Sequence, residues 1–251
     1  MQYLELIYYR ALAEIRADAA RYYLGLLWWF IEPLLFMAIF YLIFSAGFRL
    51  GGNGFLVFLL IGLTLWKWFQ STVTRGATII VASRGLLSQT YFPKYVLVLI
   101  TILAGLLKFL IVFGVLLGFV HVMGYEYHYT WLHLPVLVLV MLAIIVAFTS
   151  ISAAITPFFP DYGIILNNVM LLLFVMSGVF YDISERSEEI QQILYLNPLA
   201  LLLREFRVIL LDHNLPDYVA LAWIMMACAV VTVCGFLALV KFDRAAAKAV
   251  I

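Results

Sequence analysis

The stretch NPLALLLREFRVILLD, residues 197–212, decides how the chain is placed relative to a membrane. It is apolar enough to enter a bilayer, yet Arg204, Glu205 and Arg207 stand in its middle. A helix of about 15 residues here would be about 22 Å long, whereas the hydrocarbon core of a bilayer is about 30 Å thick. The stretch is therefore too short to cross a membrane, and its place must follow from the segments around it.

The composition predicts an all-α integral membrane protein. Of the 251 residues, 67% are hydrophobic and only 12% are charged, which is far from the average for a soluble domain. The formal net charge is +1, and no run of Lys and Arg offers a surface that follows a phosphate backbone, which excludes a nucleic-acid-binding protein. Cys228 and Cys234 lie in one apolar run without a neighbouring His, so they neither pair on one helix nor form a metal site.

Six apolar segments are each long enough for the roughly 20 residues that a crossing needs. We place these spans at 27–48, 55–75, 95–122, 133–157, 162–181 and 218–240, so that residues 1–251 form one transmembrane domain. Residues 1–25 carry apolar side chains at helical spacing with charges mostly on other faces, which predicts an amphipathic helix in the membrane interface. No basic region precedes an uninterrupted apolar core there, so we expect no cleavable signal.

The distribution of Lys and Arg predicts that both termini lie in the cytoplasm. With that orientation nine of these residues fall inside and four outside, namely Arg10, Arg16, Arg21, Arg75, Arg84, Lys94, Lys241, Arg244 and Lys248 against Arg49, Arg186, Arg204 and Arg207. A seventh span at 197–211 would put the basic tail, residues 241–251, outside. We therefore expect residues 183–213 to form a re-entrant helical hairpin at the outer face, between the fifth and sixth spans.

Charged residues inside the spans are candidates for function, because a charge in lipid is costly. Glu32 stands before Pro33 near the start of the first span, and it either faces protein or water or simply reaches the cytoplasmic interface. Lys67 and Lys108 lie near mid-depth by residue count. Each can meet a phosphate carried by a substrate, or it can snorkel or pair with Glu32 or a backbone carbonyl.

Polar and aromatic residues elsewhere are less specific. The outer segment GYEYHYTWLH, residues 124–133, suits an interfacial aromatic belt, and it can also stack against sugar rings. Asn167 and Asn168 are adjacent amide side chains within a predicted span, and we expect them to hydrogen-bond between helices. The chain has no GxxxxGKS/T, HExxH or GxSxG motif, which argues against ATP binding by that route and against an enzyme.

Four segments taken together match a known family. They are the amphipathic N-terminal helix followed by YLGLLWWFIEPLLF (residues 23–36), IGLTLWKWFQS (61–71), LLSQTYFPK (86–94) and YLNPLALLLREFRVILL (195–211). The arrangement resembles the ABC-2 type permeases that export bacterial cell-surface polysaccharides, namely O-antigen, capsule and teichoic acid. The chain departs from many O-antigen exporters at Leu65, where they have proline, and Glu32 before Pro33 is more similar to capsule exporters.

The resemblance implies a homodimer in the bacterial inner membrane, bound to two copies of a separate ATPase subunit that holds ATP and Mg. This chain would bind no cofactor or metal, and a lipid-linked polysaccharide would pass through it along an aromatic-lined channel. The residues implied in the entrance and channel are Trp28, Trp29, Glu32, Pro33, Phe36, Phe40, Phe44, Trp66, Lys67, Trp68 and Phe69.

The same resemblance implies a gate and a docking site for the ATPase. The exit gate would comprise Asn197, Pro198, Arg204, Glu205 and Arg207. In that gate we expect the three charged side chains to point towards water or a passing polymer while the leucines face protein and lipid. The ATPase would dock on the N-terminal helix and on the cytoplasmic loop 82–93, through Arg84, Leu86, Leu87, Gln89 and Tyr91.

Two alternatives stay open at this point. One lies within transport, an ABC-2 permease for drugs or another lipid. The other is a membrane-embedded glycolipid-modifying enzyme, which would also use aromatic side chains and intramembrane charges, although the chain lacks an acid–base constellation. A neighbouring gene for an ATPase would favour transport, and neighbouring glycosyltransferase genes would favour a polysaccharide substrate.

Overall fold

The structure, a computed structural model, describes residues 2–21, 23–48, 53–87, 92–241 and 243. Throughout these residues the regular elements are helices and there is no strand, which confirms the all-α prediction. The α-helices in chain order are α1 (Gln2–Ala20), α2 (Trp28–Phe48), α3 (Asn53–Ala82), α4 (Arg84–Leu87), α5 (Lys94–Val122), α6 (Leu134–Ile155), α7 (Tyr162–Met176), α8 (Glu188–Leu194), α9 (Pro198–Leu210) and α10 (Tyr218–Lys241).

Five helical segments of the described chain are long and apolar enough to cross a membrane. They are Gly25–Ile43, Gly54–Ala82, Lys94–Val122, Tyr129–Ile155 and Tyr218–Lys241. Each corresponds to a predicted span, although the second runs past its predicted end at residue 75. The predicted span 162–181 is shorter than expected, because α7 has 15 residues. The chain leaves the helix after Met176, where Gly178 adopts a φ of 65°, in the left-handed region.

α3 is the centre of the helix packing, since it contacts α2, α5, α6, α7 and α9. The ring of Trp68 stacks on Phe109 of α5, with their centroids 3.8 Å apart. Glycine permits close approach elsewhere, because a Cβ at Gly76 would overlap the side chain of Thr149 on α6. Small residues at such contacts let helix backbones approach in membranes, where dispersion and fit replace the hydrophobic effect.

α1 is amphipathic and docks on α5. Its Ile7 and Ala11 are buried against α5, whereas Tyr8 and Tyr9 are exposed. The helix ends at Ala20, five residues before the predicted end of the N-terminal segment at residue 25. Part of the apolar face of α1 is therefore covered by protein, and the place of this helix in the membrane interface stays a prediction.

α8 and α9 lie between α7 and α10, within the hairpin predicted for residues 183–213. Pro198 is the first residue of α9. Proline is favoured at this position because its fixed φ suits a helix and the N–H that it lacks would have no partner within the helix. The Asn197 side chain accepts a hydrogen bond from the Leu199 N–H at 3.0 Å and donates one to Ser177 Oγ at 2.8 Å. Asn197 thus caps α9 and ties its start to the end of α7.

Candidate functional site

Glu32 on α2 and Lys67 on α3 form an ion pair, with 2.5 Å between Oε1 and Nζ. The glutamate precedes Pro33 inside α2, and proline lacks an N–H, so the helix loses one backbone hydrogen bond beside the charge. The side chains of Lys67 and Glu32 are still 41% and 42% exposed. The pairing with Glu32, one of the alternatives for Lys67, is therefore present, and both groups remain accessible.

The ion pair lines a cavity of about 460 Å³ between α2, α3 and α7. Phe36, Trp66 and Phe174 are part of its wall, and the Trp66 and Phe174 rings lie 5.3 Å apart between centroids. Aromatic faces hold sugar rings without demanding one sequence of units, whereas the charged pair and polar side chains can meet hydroxyl groups. The cavity thus combines an apolar wall with a few polar groups, as binding sites commonly do.

Six residues that line this cavity were not predicted as site residues, namely Leu63, Gln70, Asn167, Met170, Leu171 and Phe174. Asn167 had a signal in the sequence, since it is a polar residue deep in an apolar segment. The expected interhelical hydrogen bond is wrong for its neighbour Asn168, whose Nδ2 donates to the Ile164 carbonyl at 2.8 Å within α7. Phe174 gave no signal, because an aromatic residue in an apolar helix is ordinary.

The same ion pair also lines a second cavity, of about 220 Å³, between α2, α3 and α5. Trp29 and Lys108 lie on its wall, and Lys108 Nζ is 5.4 Å from the centroid of the Trp29 ring. Trp68 borders this cavity too, although only 4% of the residue is exposed. Lys67 and Lys108, the two lysines predicted as candidates at mid-depth, therefore line the same cavity.

The remaining aromatic residues predicted for the channel lie in different surroundings. Phe40 stacks on Phe180, with 5.5 Å between centroids and 2° between planes. Phe69 is fully buried in the core and meets Phe148 edge-on, so it borders neither cavity. Trp28 is exposed, and the side chain of Phe44 lies outside the described residues. A channel-lining role for these residues stays a prediction.

Lys108 has its partner on α1, where it pairs with Asp18. Asp18 also accepts a hydrogen bond from Arg75 Nη1 at 2.7 Å, and Arg75 Nη2 reaches Glu14 at 2.5 Å. Burial by itself raises the pKa of Asp18, but the hydrogen bonds from Arg75 and Lys108 together with their charges bring it below its usual range. Residues of α3 and α5 thus hold the polar face of α1.

Replacing Asp18 with asparagine is expected to loosen α1 from α5 at neutral pH. Because the folded-state pKa of Asp18 is lowered, its stabilising effect is present above the unfolded value of about 3.9 and is lost as the pH falls through the folded value. Hydrogen exchange of the α1 amides checks this, and we expect faster exchange in D18N. E5Q, at an exposed acid of the same helix, is the matched control, and equal exchange in both variants would contradict the assignment.

Arg207 is buried, so the expectation that it points towards water is wrong. Its Nη1 donates to the Gly178 carbonyl at 2.8 Å, and its Nη2 donates to the carbonyls of Val179 at 2.9 Å and Phe58 at 3.3 Å. The guanidinium carbon lies 3.3 Å from the centroid of the Phe58 ring. The left-handed turn after α7 leaves the carbonyls of Gly178 and Val179 without helical donors, and the guanidinium of Arg207 on α9 donates to both.

Glu205 is also buried, and the same expectation is wrong for it. Its Oε1 accepts hydrogen bonds from Arg204 Nη2 at 2.6 Å and Nε at 3.0 Å, while Oε2 accepts the Asp217 N–H at 2.9 Å. Arg204 is half-buried and lies over the Tyr195 ring, 5.1 Å from its centroid. The three charged side chains of α9, Arg204, Glu205 and Arg207, therefore face protein for the most part. They join α9 to the loops on either side of it.

The loop predicted to dock an ATPase is described only in part. Residues 88–91, which include the predicted Gln89 and Tyr91, and the side chain of Leu86 lie outside the described residues. Arg84 begins the short helix α4, and Leu87 packs into a core cluster with Ile80 and Leu97. Docking by these residues stays a prediction.

The end of this loop is tied to the C-terminal region. Lys94, at the start of α5, is only 2% exposed and reaches Asp243 Oδ1 at 3.2 Å through its Nζ. The backbone N–H of Lys94 donates to the same carboxylate oxygen at 3.2 Å.

In the part of the chain that the structure describes, no group of three or more His, Cys, Asp or Glu residues is arranged to hold a metal ion.

The sequence of the chain matches a known family and several named proteins. Residues 9–211 match the family model described as ABC-2 type transporter. The chain is 34% identical over 239 residues to a protein named O-antigen export system permease protein RfbA from Myxococcus xanthus, covering 91% of this chain and 90% of that one. It is 27% identical over 202 residues to a protein of the same name from Klebsiella pneumoniae, covering 80% and 78%.

Proposed function

Because the chain belongs to the ABC-2 type transporter family, we propose that it is the permease subunit of an ATP-driven O-antigen exporter. The names of the relatives support this substrate class, since they are called O-antigen export permeases and match 80% or more of this chain. The protein is a transporter component and not an enzyme. Its transported unit is a lipid-linked polysaccharide that moves across the inner membrane.

One observation carries the proposal beyond the family, namely the Glu32–Lys67 ion pair that borders both cavities. Charged residues inside apolar helices are costly and therefore rare, and where they occur they commonly mark the path of a substrate. Here the pair lies beside aromatic side chains, and sugar rings can stack on such side chains. The positive charges of Lys67 and Lys108 can attract a phosphate on the lipid carrier. The entrance and the first part of the channel therefore lie around these two cavities.

The transmembrane domain crosses the membrane six times, with both termini in the cytoplasm. Five helices have the length for a crossing, and α7 supplies the other together with the residues that follow it. A helix of 15 residues is about 22 Å long, so the chain after Met176 completes the passage to the outer face. α8 and α9 then form the re-entrant exit gate.

The working unit is a homodimer bound to two ATPase subunits that hold ATP and Mg. Much of α2 is apolar and exposed in the single chain, including Leu34, Leu35 and Ile39. Lipid covers part of such a face, and a second copy covers the rest. The larger cavity is bounded by α2 and α7, so a partner copy at this face would close the polymer path from the side.

Deleting the gene is expected to remove O-antigen from the cell surface and to trap lipid-linked polymer inside the cell. Surface polymer is measured by staining intact cells, and trapped polymer is measured in the membrane fraction after polymer synthesis has been induced. Return of the intact gene on a plasmid is the control and should restore export. Unchanged surface O-antigen without accumulation of lipid-linked glycan would contradict the proposal.

A further inference from the structure

A polar cavity of about 280 Å³ lies on the side of α9 that faces the turn after α7. It is separate from the two cavities at the Glu32–Lys67 pair and shares no lining residue with them. Asp182 and Ser184 contribute from the turn, Arg204 and Arg207 from α9, and Asp212 from the residues after it. This volume is close to the lower end of the range for sites that hold small ligands.

Arg207 lines this cavity, and one of its buried polar atoms is left without a partner. Its two Nη atoms are used by backbone carbonyls, but its Nε has no hydrogen-bond partner among the described residues. The residue is only 8% exposed. Because a buried donor without an acceptor is costly, an acceptor supplied by a ligand would be favourable here. Burial lowers the pKa of Arg207 to about 9, against the effect of the nearby Asp182 carboxylate, so the group stays charged at neutral pH.

Two carboxylates provide acceptors at the same cavity. Asp182 Oδ1 accepts hydrogen bonds from the Ser184 N–H at 2.8 Å and its Oγ–H at 2.7 Å, which holds the carboxylate in place. The side chain of Asp212 accepts no hydrogen bond within the described ranges and is exposed. Burial and the charge of Asp182 raise the pKa of Asp212, which His213 opposes. The two carboxylates are thus close enough to influence each other.

The mixture of charges selects among ligand classes. A phosphate or another anion would meet repulsion from Asp182 and Asp212, and a divalent cation would meet the buried guanidinium of Arg207. A neutral ligand rich in hydroxyl groups fits both, since each hydroxyl donates one hydrogen bond and accepts others. Its O–H groups can donate to the carboxylates while its oxygens accept from Arg207 Nε.

We propose that this cavity binds a sugar unit of the exported glycan at the outer end of the permease. The sugar's hydroxyl groups donate to Asp182 and Asp212, and its oxygens accept from Arg207. The identity of the glycan rests on the proposed function, whereas the preference for a neutral, hydroxyl-rich ligand rests on the residues of the cavity. The site gives the polymer a holding point between cycles of the ATPase, next to the helix that was predicted to form the gate.

Binding of released polymer to the purified permease–ATPase complex tests this site. The probe is O-polysaccharide freed by mild acid from the lipopolysaccharide of the bacterium that carries the gene, and saturation-transfer NMR reports its binding. D212N and the D182N/D212N double variant are expected to weaken binding by at least about tenfold, because charge-assisted hydrogen bonds are lost. E185Q, at an exposed acid on the same turn outside the cavity, should bind as the unaltered protein does.

The outcomes separate this inference from the proposed function. If the unaltered complex exports O-antigen but all variants bind the probe equally, the sugar site is wrong and the exporter assignment stands. If D212N abolishes binding of Ca²⁺ or inorganic phosphate while it leaves polymer binding unchanged, the cavity is an ion site and the inference is overturned. If the gene deletion leaves surface O-antigen intact, the proposed function itself fails, whatever the binding result.

Discussion

Replacing Arg207 with methionine is expected to abolish export and to lower the stability of the permease more than any other single change at the outer face. Methionine fills a similar volume but leaves the carbonyls of Gly178 and Val179, in the turn after α7, without the donor that the guanidinium supplies. Each buried acceptor left without a donor costs about 1–3 kcal/mol. The midpoint of thermal unfolding of the purified protein in detergent should therefore fall, together with the yield of folded protein and the amount of surface O-antigen.

R186M is the matched control, because Arg186 is an exposed arginine of the same outer region. Its guanidinium lies 5.4 Å from the Tyr181 ring centroid, and a cation–π contact at an exposed site contributes only about 0.5–1 kcal/mol. The control should keep an unfolding midpoint close to that of the unaltered protein. A midpoint for R207M that equals the control would show that the carbonyl contacts do not hold the turn.

Gly62 offers a second route to the same contact. A Cβ at Gly62 would lie 2.6 Å from Arg207 Nη2 and 2.8 Å from the Val179 carbonyl oxygen, so G62A should displace the guanidinium and resemble R207M. G114A is its control, since nothing lies within 4 Å of a Cβ at Gly114 in α5. Alanine is the better helix former, so G114A should keep or slightly raise stability, and a loss in both variants would argue against the Arg207 contact.

Exchanging the charges of Glu32 and Lys67 is expected to restore assembly without restoring export. K67M alone should reduce export by at least about tenfold, because it leaves Glu32 unpaired among apolar helices. The double variant E32K/K67E re-forms an ion pair at the same place, so the amount of permease in the membrane and of ATPase purified with it should recover. Export should stay low, because a glutamate then stands where Lys67 would meet an anionic group of the lipid carrier.

The exchange also separates the two interpretations of Lys67 that the sequence leaves open. If the pair is only structural, the double variant will recover export along with assembly, and Lys67 will have no role at the substrate. If the double variant assembles but does not export, the position of the positive charge matters beyond the pairing. Surface O-antigen, membrane levels of the permease and co-purified ATPase are the three measurements.

The sequence predicted the helices well because helix formation in a membrane depends on local properties. Length and hydropathy are enough to locate the segments that became α2, α3, α5, α6 and α10, and proline at position 198 is enough to start α9. The shorter α7 escaped this reasoning. Hydropathy continues past Met176, whereas the end of the helix depends on the left-handed turn at Gly178.

The sequence also predicted which side chains needed partners, but only partly which partners they found. Glu32 and Lys67 were candidates because unpaired charges in lipid are costly, and each could be named as a partner for the other. The pairing of Lys108 with Asp18 was not predicted, because it depends on how α1 lies on α5. Among the predicted channel aromatics, the positions of Trp66 at a cavity and Phe69 in the core depend on the rotation of α3.

For the stretch at residues 197–212, the sequence alone determined that it is a helix too short to cross, with charges that need satisfying. Only the tertiary structure decided that Arg207 turns inward to the carbonyls of Gly178 and Val179 and that Glu205 holds the backbone of Asp217. The sequence also could not reveal that Asp182 and Asp212 border one cavity. Charge and length are properties of the residues themselves, whereas buried donors and acceptors are matched only when distant segments pack together.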